Sequence, residues 1–235
     1  MRISIIGLGW FGEPLAKALL KDGHEISGST RTQEKKDQLT KENIKVDLLD
    51  YPGYANKDLL DADIVVLNIP PFSNQLEWFE SWQWNPNTWI IFISSTSVYS
   101  KKNSENISTL KQEESWIQSE FNNWTILRFG GLIGNGRHPG KHLSGKKNLP
   151  GRLWPVNLVH IDDCIGVTKT IIQKKIQNEI FNVVASDHPT REKFYTDYCL
   201  KNGLPLPEFD PHDNSVKDVV SNEKILKSYS VFRNF

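Results

Sequence analysis

Three glycines near the N-terminus, Gly7, Gly9 and Gly12, have the spacing Gly-x-Gly-x-x-Gly. They follow the apolar run of residues 2–6 and precede an amphipathic stretch that ends at Lys21. In a strand–turn–helix unit, the first glycine allows a tight turn, the second lets a pyrophosphate approach the backbone, and the third lets helix and strand pack closely. The start of the helix offers N–H donors and a positive dipole to the phosphates. The motif predicts a dinucleotide site formed by Gly7, Leu8, Gly9, Trp10, Phe11 and Gly12.

The residues at the end of the second predicted strand indicate which dinucleotide is bound. NAD-binding proteins usually carry an acid there, which holds the ribose 2′-hydroxyl. This chain has Ser29, Thr30 and Arg31 instead. Arg31, with its two neighbours, suits a 2′-phosphate, because guanidinium and phosphate form charge-assisted hydrogen bonds. The alternative is a solvated arginine that caps the turn. The sequence favours NADP and leaves NAD open.

Three further residues are assigned to the cofactor. Asp47, at the end of the third predicted strand, either accepts from the adenine amino group or only closes a turn. Ile69 and Pro70 follow the fourth strand directly. Ligands of open α/β sheets bind at the carboxyl ends of the strands, where all three residues are expected.

Short apolar runs alternate with amphipathic stretches along the first 130 residues. The runs Ile64–Leu67 and Ile90–Ile93 do not alternate with polar residues, which is typical of parallel strands covered on both faces. Strands are predicted at residues 2–6, 24–29, 44–48, 63–68, 89–94 and 125–129. Helices are predicted at residues 11–21, 32–42, 72–82 and 110–121. This alternation predicts an α/β fold with a Rossmann-type, doubly wound parallel sheet over residues 1–130.

The pattern changes after Phe129. Residues 130–153 are rich in Gly, Lys and Arg and are predicted to form a long loop, of the kind that is often functional. A helix is predicted from Asp162 or Asp163 to about residue 174, a strand at 179–184 and a helix at 189–202. Residues 131–235 are expected to form a small substrate-side subdomain packed on the core, within one structural domain.

Several later segments carry a family resemblance together with the glycine motif. They are Ser94–Tyr99, Ile126–Leu132, Gly134–Lys141, Val156–Asp163, Phe181–Val183 and Pro189–Arg191. With them the chain resembles the extended short-chain dehydrogenase/reductase superfamily of epimerases and dehydratases, and within it the atypical bacterial YeeZ-type proteins. The resemblance covers nearly the whole chain. It implies a Rossmann fold, NAD(P) binding and oxidoreductase or epimerase/dehydratase-like chemistry.

The resemblance also shows what the chain lacks. The superfamily uses a Ser or Thr after the fifth strand and a Tyr-x3-Lys pair on the next helix, whose lysine lowers the pKa of the phenol. Ser95 matches the serine, and Ser97 is a second candidate, assigned to the substrate. No tyrosine of this chain is followed by a lysine four residues later. If Glu120 is the glutamate that follows the superfamily's lysine, Gln112 and Trp116 replace the pair.

Other side chains are then candidates for the acid. Tyr99 follows the fifth strand, with Lys101 and Lys102 near it in sequence, and is the first choice. His160 precedes a predicted helix and is the second choice, although a structural histidine is the simpler interpretation.

A basic cluster in the long loop includes Arg137, His138 and Lys141. It is either a solvated loop or a site for an anionic group of the substrate, and we assign these three residues to substrate binding. His138 and His142 lack helical geometry and a clear third ligand, so no metal site is expected.

Composition limits the possible partners. Lys plus Arg equals Asp plus Glu at 28 each, so no basic excess draws the chain to nucleic acid or to an anionic membrane. No apolar run reaches the roughly 20 residues that span a bilayer, and the two cysteines suggest a reducing cytoplasm. The eight tryptophans indicate core packing, with a ligand-stacking platform as the alternative. The oligomeric state stays open.

Two functions fit these observations. The first is an NADP-dependent oxidoreductase or epimerase-like enzyme that acts on a small polar substrate with an anionic group. The second is a non-catalytic NAD(P)-binding sensor or scaffold, which the missing Tyr-x3-Lys pair favours.

Overall fold

The computed structural model describes residues 1–101, 104–230 and 232–233. The chain divides into two compact units, Met1–Arg128 with Val167–Phe181, and Phe129–Gly166 with Asn182–Phe235. The first break lies close to the boundary expected at residue 130. The sequence did not predict that the chain returns to the first unit between residues 167 and 181.

The strands form one large sheet and one small sheet. In chain order they are β1 (Arg2–Ile6), β2 (Glu25–Thr30), β3 (Lys45–Leu48), β4 (Ile64–Leu67), β5 (Trp89–Ser95), β6 (Asn123–Phe129), β7 (Gly131–Ile133), β8 (Leu158–His160) and β9 (Glu179–Val183). The large sheet is parallel and has the order β3-β2-β1-β4-β5-β6-β9. The order reverses beside β1, as in a doubly wound sheet. The predicted Rossmann-type fold is therefore confirmed.

The helices alternate with these strands. They are α1 (Gly12–Lys21), α2 (Gln33–Thr40), α3 (Lys57–Leu60), α4 (Gln75–Glu80), α5 (Glu105–Glu120), α6 (Ile161–Lys174), α7 (Arg191–Lys201) and α8 (Glu223–Leu226). Helix α5 begins at Glu105, earlier than predicted, because the side chain of Ser104 accepts a hydrogen bond from the Ile107 N–H and caps the helix. None of the helices in the described ranges is long and apolar enough to cross a membrane.

The segment predicted as one long loop contains regular structure. Strand β7 pairs in parallel with β8, and Pro139–Leu143 forms a 3₁₀ turn. Reciprocal backbone hydrogen bonds of 2.9 Å between Gly134 and Arg137 close a tight turn after β7. The prediction of a loop was wrong at residues 131–133, because a strand of three residues is too short to show a hydrophobic period.

Most of the tryptophans of the first unit pack in its core. Trp78 and Trp82 are buried and their rings lie 4.8 Å apart, while Trp84 and Trp116 pack against the same cluster. Trp89 is also buried, and its indole donates to the Thr125 hydroxyl at 3.0 Å. Core packing therefore accounts for most of these rings.

Helix α5 buries two acidic side chains with different environments. The Glu114 carboxylate forms an ion pair with Arg128 and accepts a hydrogen bond of 2.6 Å from the Ser94 hydroxyl. Glu113 is 1% exposed, and its Oε1 has no hydrogen-bond partner within the described residues. Burial raises the pKa of Glu113 to about 8, so its carboxyl group is protonated in the folded protein at neutral pH.

We expect Glu113→Gln to stabilise the protein at alkaline pH and to flatten its pH dependence. The pKa of Glu113 is about 8 in the fold, whereas the ordinary value is 4.5. Between these values the folded state binds more protons than the unfolded state, so stability is complete below the lower pKa and is lost as the pH rises through the higher one. The loss is about 1.4 kcal/mol per pH unit in that interval.

Urea denaturation at about pH 5 and about pH 8 measures this difference. Glu120→Gln, which changes an exposed carboxylate at the end of the same helix, is the control. Equal pH dependence of the wild type and Glu113→Gln would contradict the assignment.

Candidate functional site

The glycine turn after β1 is held by close backbone contacts and by two polar side chains. Gly7 has a φ of +104°, and a Cβ there would lie 2.3 Å from the Asn68 carbonyl oxygen. A Cβ at Gly12 would lie 2.1 Å from the Gly7 carbonyl oxygen. The Asn68 side-chain amide donates to the Gly7 carbonyl at 3.0 Å, and the Gly7 N–H donates to the Ser29 hydroxyl at 3.1 Å. Only glycine fits at both positions.

Gly9 has the opposite environment. It is exposed, and a Cβ there would meet nothing within 4 Å. Helix α1 begins three residues later, at Gly12, and Phe11, which precedes it, makes no side-chain cap. Open space above a glycine at an uncapped helix N-terminus suits the approach of a pyrophosphate. The residues present therefore fit the phosphates of a dinucleotide.

An acid at the start of α1 is neutralised by two lysines. Glu13 lies in the first turn of the helix and forms ion pairs with Lys17, at 2.8 Å, and with Lys35. Lys17 also pairs with Glu42 at 2.8 Å. A carboxylate near bound phosphates would repel them, and these ion pairs reduce that repulsion.

A cavity of about 590 Å³ opens beside the glycine turn. Its lining comes from the glycine turn and from the segments that follow β2, β3 and β4, together with Trp78. Of the residues assigned to the cofactor from sequence, those that line the cavity are Gly7, Leu8, Gly9, Ser29, Thr30, Arg31, Ile69 and Pro70. Sequence reasoning missed the lining residues Asp50, Tyr51, Asn68, Phe72 and Trp78. The nearest sequence signal was the position of Asn68, at the end of the fourth predicted strand.

The other residues assigned to the cofactor do not line this cavity. Trp10, Phe11 and Gly12 belong to the turn and to the start of α1, and Phe11 is buried. Asp47 pairs in register with Ser29, and its Oδ2 is buried without a hydrogen-bond partner in the described part of the chain. The cavity is lined by residues 49–51 of this segment, so an adenine contact of Asp47 stays a prediction.

Ser95, Ser97 and Tyr99 form a short turn at the carboxyl end of β5. The Ser95 hydroxyl accepts a hydrogen bond of 3.1 Å from the Ser97 N–H. The Tyr99 hydroxyl accepts one of 2.7 Å from Arg128, and the ring lies 5.1 Å from the guanidinium carbon. Tyr99 remains 52% exposed, so its ring is oriented without being enclosed. Lys102 lies outside the described residues.

The expected replacement of the Tyr-x3-Lys pair by Gln112 and Trp116 stays a prediction. The ring of Trp116 packs 5.9 Å from Trp84 and 5.4 Å from Phe121. Trp84 precedes β5 and Phe121 follows α5, so both lie at the amino end of the strands. Ligands bind at the carboxyl end. Gln112 is exposed.

Glu114 contacts both Ser94 of β5 and Arg128 of β6, whereas Glu120 is exposed. Four and eight residues before Glu114 stand Leu110 and Asn106. Neither side chain titrates, so a register counted from Glu114 also provides no Tyr-x3-Lys pair.

His160, in the second unit, makes local contacts at the junction of β8 and α6. Its Nδ1 accepts a hydrogen bond of 3.2 Å from the Asp162 N–H and lies 3.5 Å from the Asp162 carboxylate. A Cβ at Gly134 would lie 2.5 Å from its Nε2. These contacts fit a structural histidine, and a role as acid stays a proposal.

The basic cluster of the second unit is not uniform. His138 stacks between Phe194 and Tyr198, with ring distances of 5.1 and 4.0 Å, and its Nδ1 accepts a hydrogen bond from the Gly140 N–H. Burial lowers the pKa of His138, so the ring is neutral at neutral pH and offers no charge to an anion. Arg137 and Lys141 are exposed. Within residues 1–101, 104–230 and 232–233, no three His, Cys, Asp or Glu side chains come together as metal ligands do.

The sheet order and the glycine turn define a Rossmann-type protein with the fold of the extended short-chain dehydrogenases/reductases. Residues 2–81 match the protein family described as "NADP oxidoreductase coenzyme F420-dependent". The chain is 32% identical to Protein YeeZ of Escherichia coli (strain K12), over 88% of this chain and 86% of that protein. It therefore belongs to the YeeZ family, which confirms the resemblance seen in the sequence.

Solved structures share this fold at low sequence identity. One is a functionally unknown conserved protein from Silicibacter pomeroyi, with a TM-score of 0.76 and 17% identity, covering 98% of this chain and 92% of that chain. Another is the UDP-glucuronic acid 4-epimerase from Bacillus cereus in complex with NAD, with a TM-score of 0.72, 18% identity and the same coverage. At these identities the likeness concerns the fold.

We expect Gly9→Val to abolish dinucleotide binding without unfolding the protein. A valine side chain would occupy the space that a pyrophosphate needs, while a Cβ at Gly9 meets no protein atom within 4 Å. Calorimetric titration with NADPH and NADH, together with a thermal melt, measures both properties. A folded variant that binds as tightly as the wild type would contradict the assignment of the site.

Proposed function

We propose that this protein binds NADP(H), with NAD(H) as the alternative, and acts as an oxidoreductase or epimerase-like enzyme on a small polar substrate that carries an anionic group. The observation that carries the proposal is the cavity in which the glycine turn and Arg31 lie together. The relatives support it: one matching family is described as an NADP oxidoreductase, and the fold neighbours include an epimerase in complex with NAD.

The preference for NADP rests on the charges that line the cavity. Arg31 is exposed at its wall, next to Thr30 and Thr32, where a 2′-phosphate would find a guanidinium and two hydroxyl groups. The lining also includes the carboxylate of Asp50, whose Oδ1 accepts a hydrogen bond of 3.1 Å from the Tyr51 N–H in its own turn. The guanidinium is thus the cationic group best placed for the extra phosphate.

The reaction needs a hydrogen-bond donor for the reacting oxygen and an acid. A bound nicotinamide supplies hydride exchange. Ser95 would hydrogen-bond the substrate oxygen, and Tyr99, oriented by Arg128, is the first choice for the acid. His160 is the second choice, and Ser97 is proposed to contact the substrate.

In the second unit, Arg137 and Lys141 are the proposed partners of the substrate's anionic group. His138, assigned with them from sequence, would contribute a neutral ring.

The alternative is a non-catalytic NAD(P)-binding sensor or scaffold. The observation that favours it is the missing Tyr-x3-Lys pair, since no tyrosine of this chain is followed by a lysine four residues later. The two functions differ in turnover, because a sensor binds the cofactor without oxidising it.

We expect Arg31→Glu to weaken NADPH binding by roughly ten- to a hundredfold and to leave NADH binding unchanged or improved. The substitution replaces a partner of the 2′-phosphate with a repelling carboxylate. Calorimetric affinities of both cofactors measure the effect, with Arg31→Gln separating lost attraction from added repulsion. Equal affinity of the wild type for the two cofactors would argue against the NADP preference.

We expect Tyr99→Phe to reduce NADPH-dependent turnover by about a hundredfold or more while the affinity for NADPH stays unchanged, because the phenol is the proposed proton donor. A screen of small carbonyl and sugar-nucleotide substrates must first identify a turnover to measure. Tyr54→Phe, which removes the hydroxyl of a tyrosine that is 73% exposed, is the matched control.

Full activity of Tyr99→Phe would eliminate this phenol as the acid and direct the same test to His160. Cofactor binding without turnover on any substrate class would favour the sensor.

A further inference from the structure

Part of the cofactor cavity is aromatic, and neither the glycine motif nor Arg31 accounts for it. Tyr51, Phe72 and Trp78 all line the cavity. The Tyr51 ring lies 5.3 Å from the Phe72 ring and 5.8 Å from the Trp78 ring, both edge to face. Phe72 and Trp78 lie 5.6 Å from each other. We call these three residues the aromatic wall.

Tyr51 is the most exposed member of the wall, and Phe72 is partly exposed. Trp78 is buried, whereas Tyr51 remains 49% exposed although it touches both other rings. An exposed ring that lines a cavity has apolar surface that a flat ligand group can cover.

The turn that carries Tyr51 is fixed by hydrogen bonds. The Gly53 N–H donates to the Asp50 carbonyl at 2.6 Å, and the Trp78 indole N–H donates to the Gly53 carbonyl. The Tyr51 N–H donates to the Asp50 carboxylate at 3.1 Å. The ring is therefore held by neighbouring side chains and by its own backbone before a ligand arrives, which lowers the entropic cost of binding.

The position of the wall identifies the part of the dinucleotide that it faces. The cavity is formed by segments that follow β1, β2, β3 and β4. In this fold the residues after β2 contact the ribose of the adenosine half. The strand order is β3-β2-β1, so β3 lies on the side of β2 that is away from the glycine turn. Tyr51 follows β3 and therefore lies next to that ribose site.

We infer that Tyr51 is an adenine-binding residue, which stacks on the purine ring of the dinucleotide while Phe72 and Trp78 hold its ring edge to face. The inference rests on the proposed function, since it concerns the cofactor proposed there. The chemistry matches because purines are flat and stack on aromatic side chains whatever the sequence around them. Affinity for the adenosine half would then come from Tyr51 in addition to Arg31.

The test measures binding by calorimetry with NADPH and with ADP, which shares the adenine ring and the pyrophosphate. Tyr51→Ala should weaken both ligands by the same factor, about five- to a hundredfold, because stacking on the ring is lost. Tyr51→Phe should bind both ligands like the wild type, because it keeps the ring. Tyr54→Ala, which removes a 73% exposed tyrosine of the same loop that does not line the cavity, should also bind normally.

A second measurement uses the unaltered protein and protects the test against a misfolded variant. Etheno-ADP has a fluorescent modified purine. Its fluorescence should be quenched on binding to the wild type if the purine stacks on an aromatic ring. Bound but unquenched etheno-ADP would overturn the inference.

If Tyr51→Ala binds both ligands as tightly as the wild type, the inference is also overturned. Equal losses of affinity in Tyr51→Phe and Tyr51→Ala would overturn it too, because they would show that the hydroxyl, and not the ring, binds the ligand. A wild type that binds neither NADPH nor NADH would overturn the proposed function and this inference with it.

Discussion

The cofactor side of this protein depends on how closely the backbone approaches itself at the turn after β1. The carbonyls of Asn68 and Gly7 occupy the places where side chains of residues 7 and 12 would begin. This contact brings the end of β4 and the start of α1 against the end of β1, and the Asn68 amide and the Ser29 hydroxyl then hold the turn from both sides. A larger residue would separate these elements, so the cavity exists only because two glycines permit the contact.

A second constraint organises the other half of the parallel sheet. The buried carboxylate of Glu114 joins β5, α5 and β6 through Ser94 and Arg128, and Arg128 in turn orients Tyr99. Removing one partner would leave an uncompensated buried charge, which is far more costly than losing a surface ion pair. The arrangement places a tyrosine next to a guanidinium at the carboxyl end of β5. The tyrosine itself comes from the turn after β5, whereas the superfamily's catalytic tyrosine belongs to the helix.

Residue type was a better guide to the surroundings of a side chain in the cofactor part of the candidate site than in the second unit. In the cofactor part, the glycines and Arg31 line the cavity, as their chemistry suggests. In the second unit, His138 was grouped with Arg137 and Lys141 as a cation, yet it is a neutral ring between Phe194 and Tyr198. Burial and stacking decide the charge of a histidine, because its ordinary pKa is close to neutral pH. An arginine keeps its charge in almost any environment.

The sequence alone determined the features that depend on neighbouring residues. The spacing of Gly7, Gly9 and Gly12 and the unbroken apolar runs of β4 and β5 specify a turn, a helix start and buried parallel strands, each within about a dozen residues. Only the tertiary structure decided the contacts between distant segments. Asn68 bonds to a residue 61 positions earlier, and Glu114 in place of Glu120 faces Arg128. The aromatic wall likewise joins Tyr51 to Phe72 and Trp78. A local pattern cannot specify such partners, because which side chains meet depends on how strands are ordered in the sheet and on how helices turn against them.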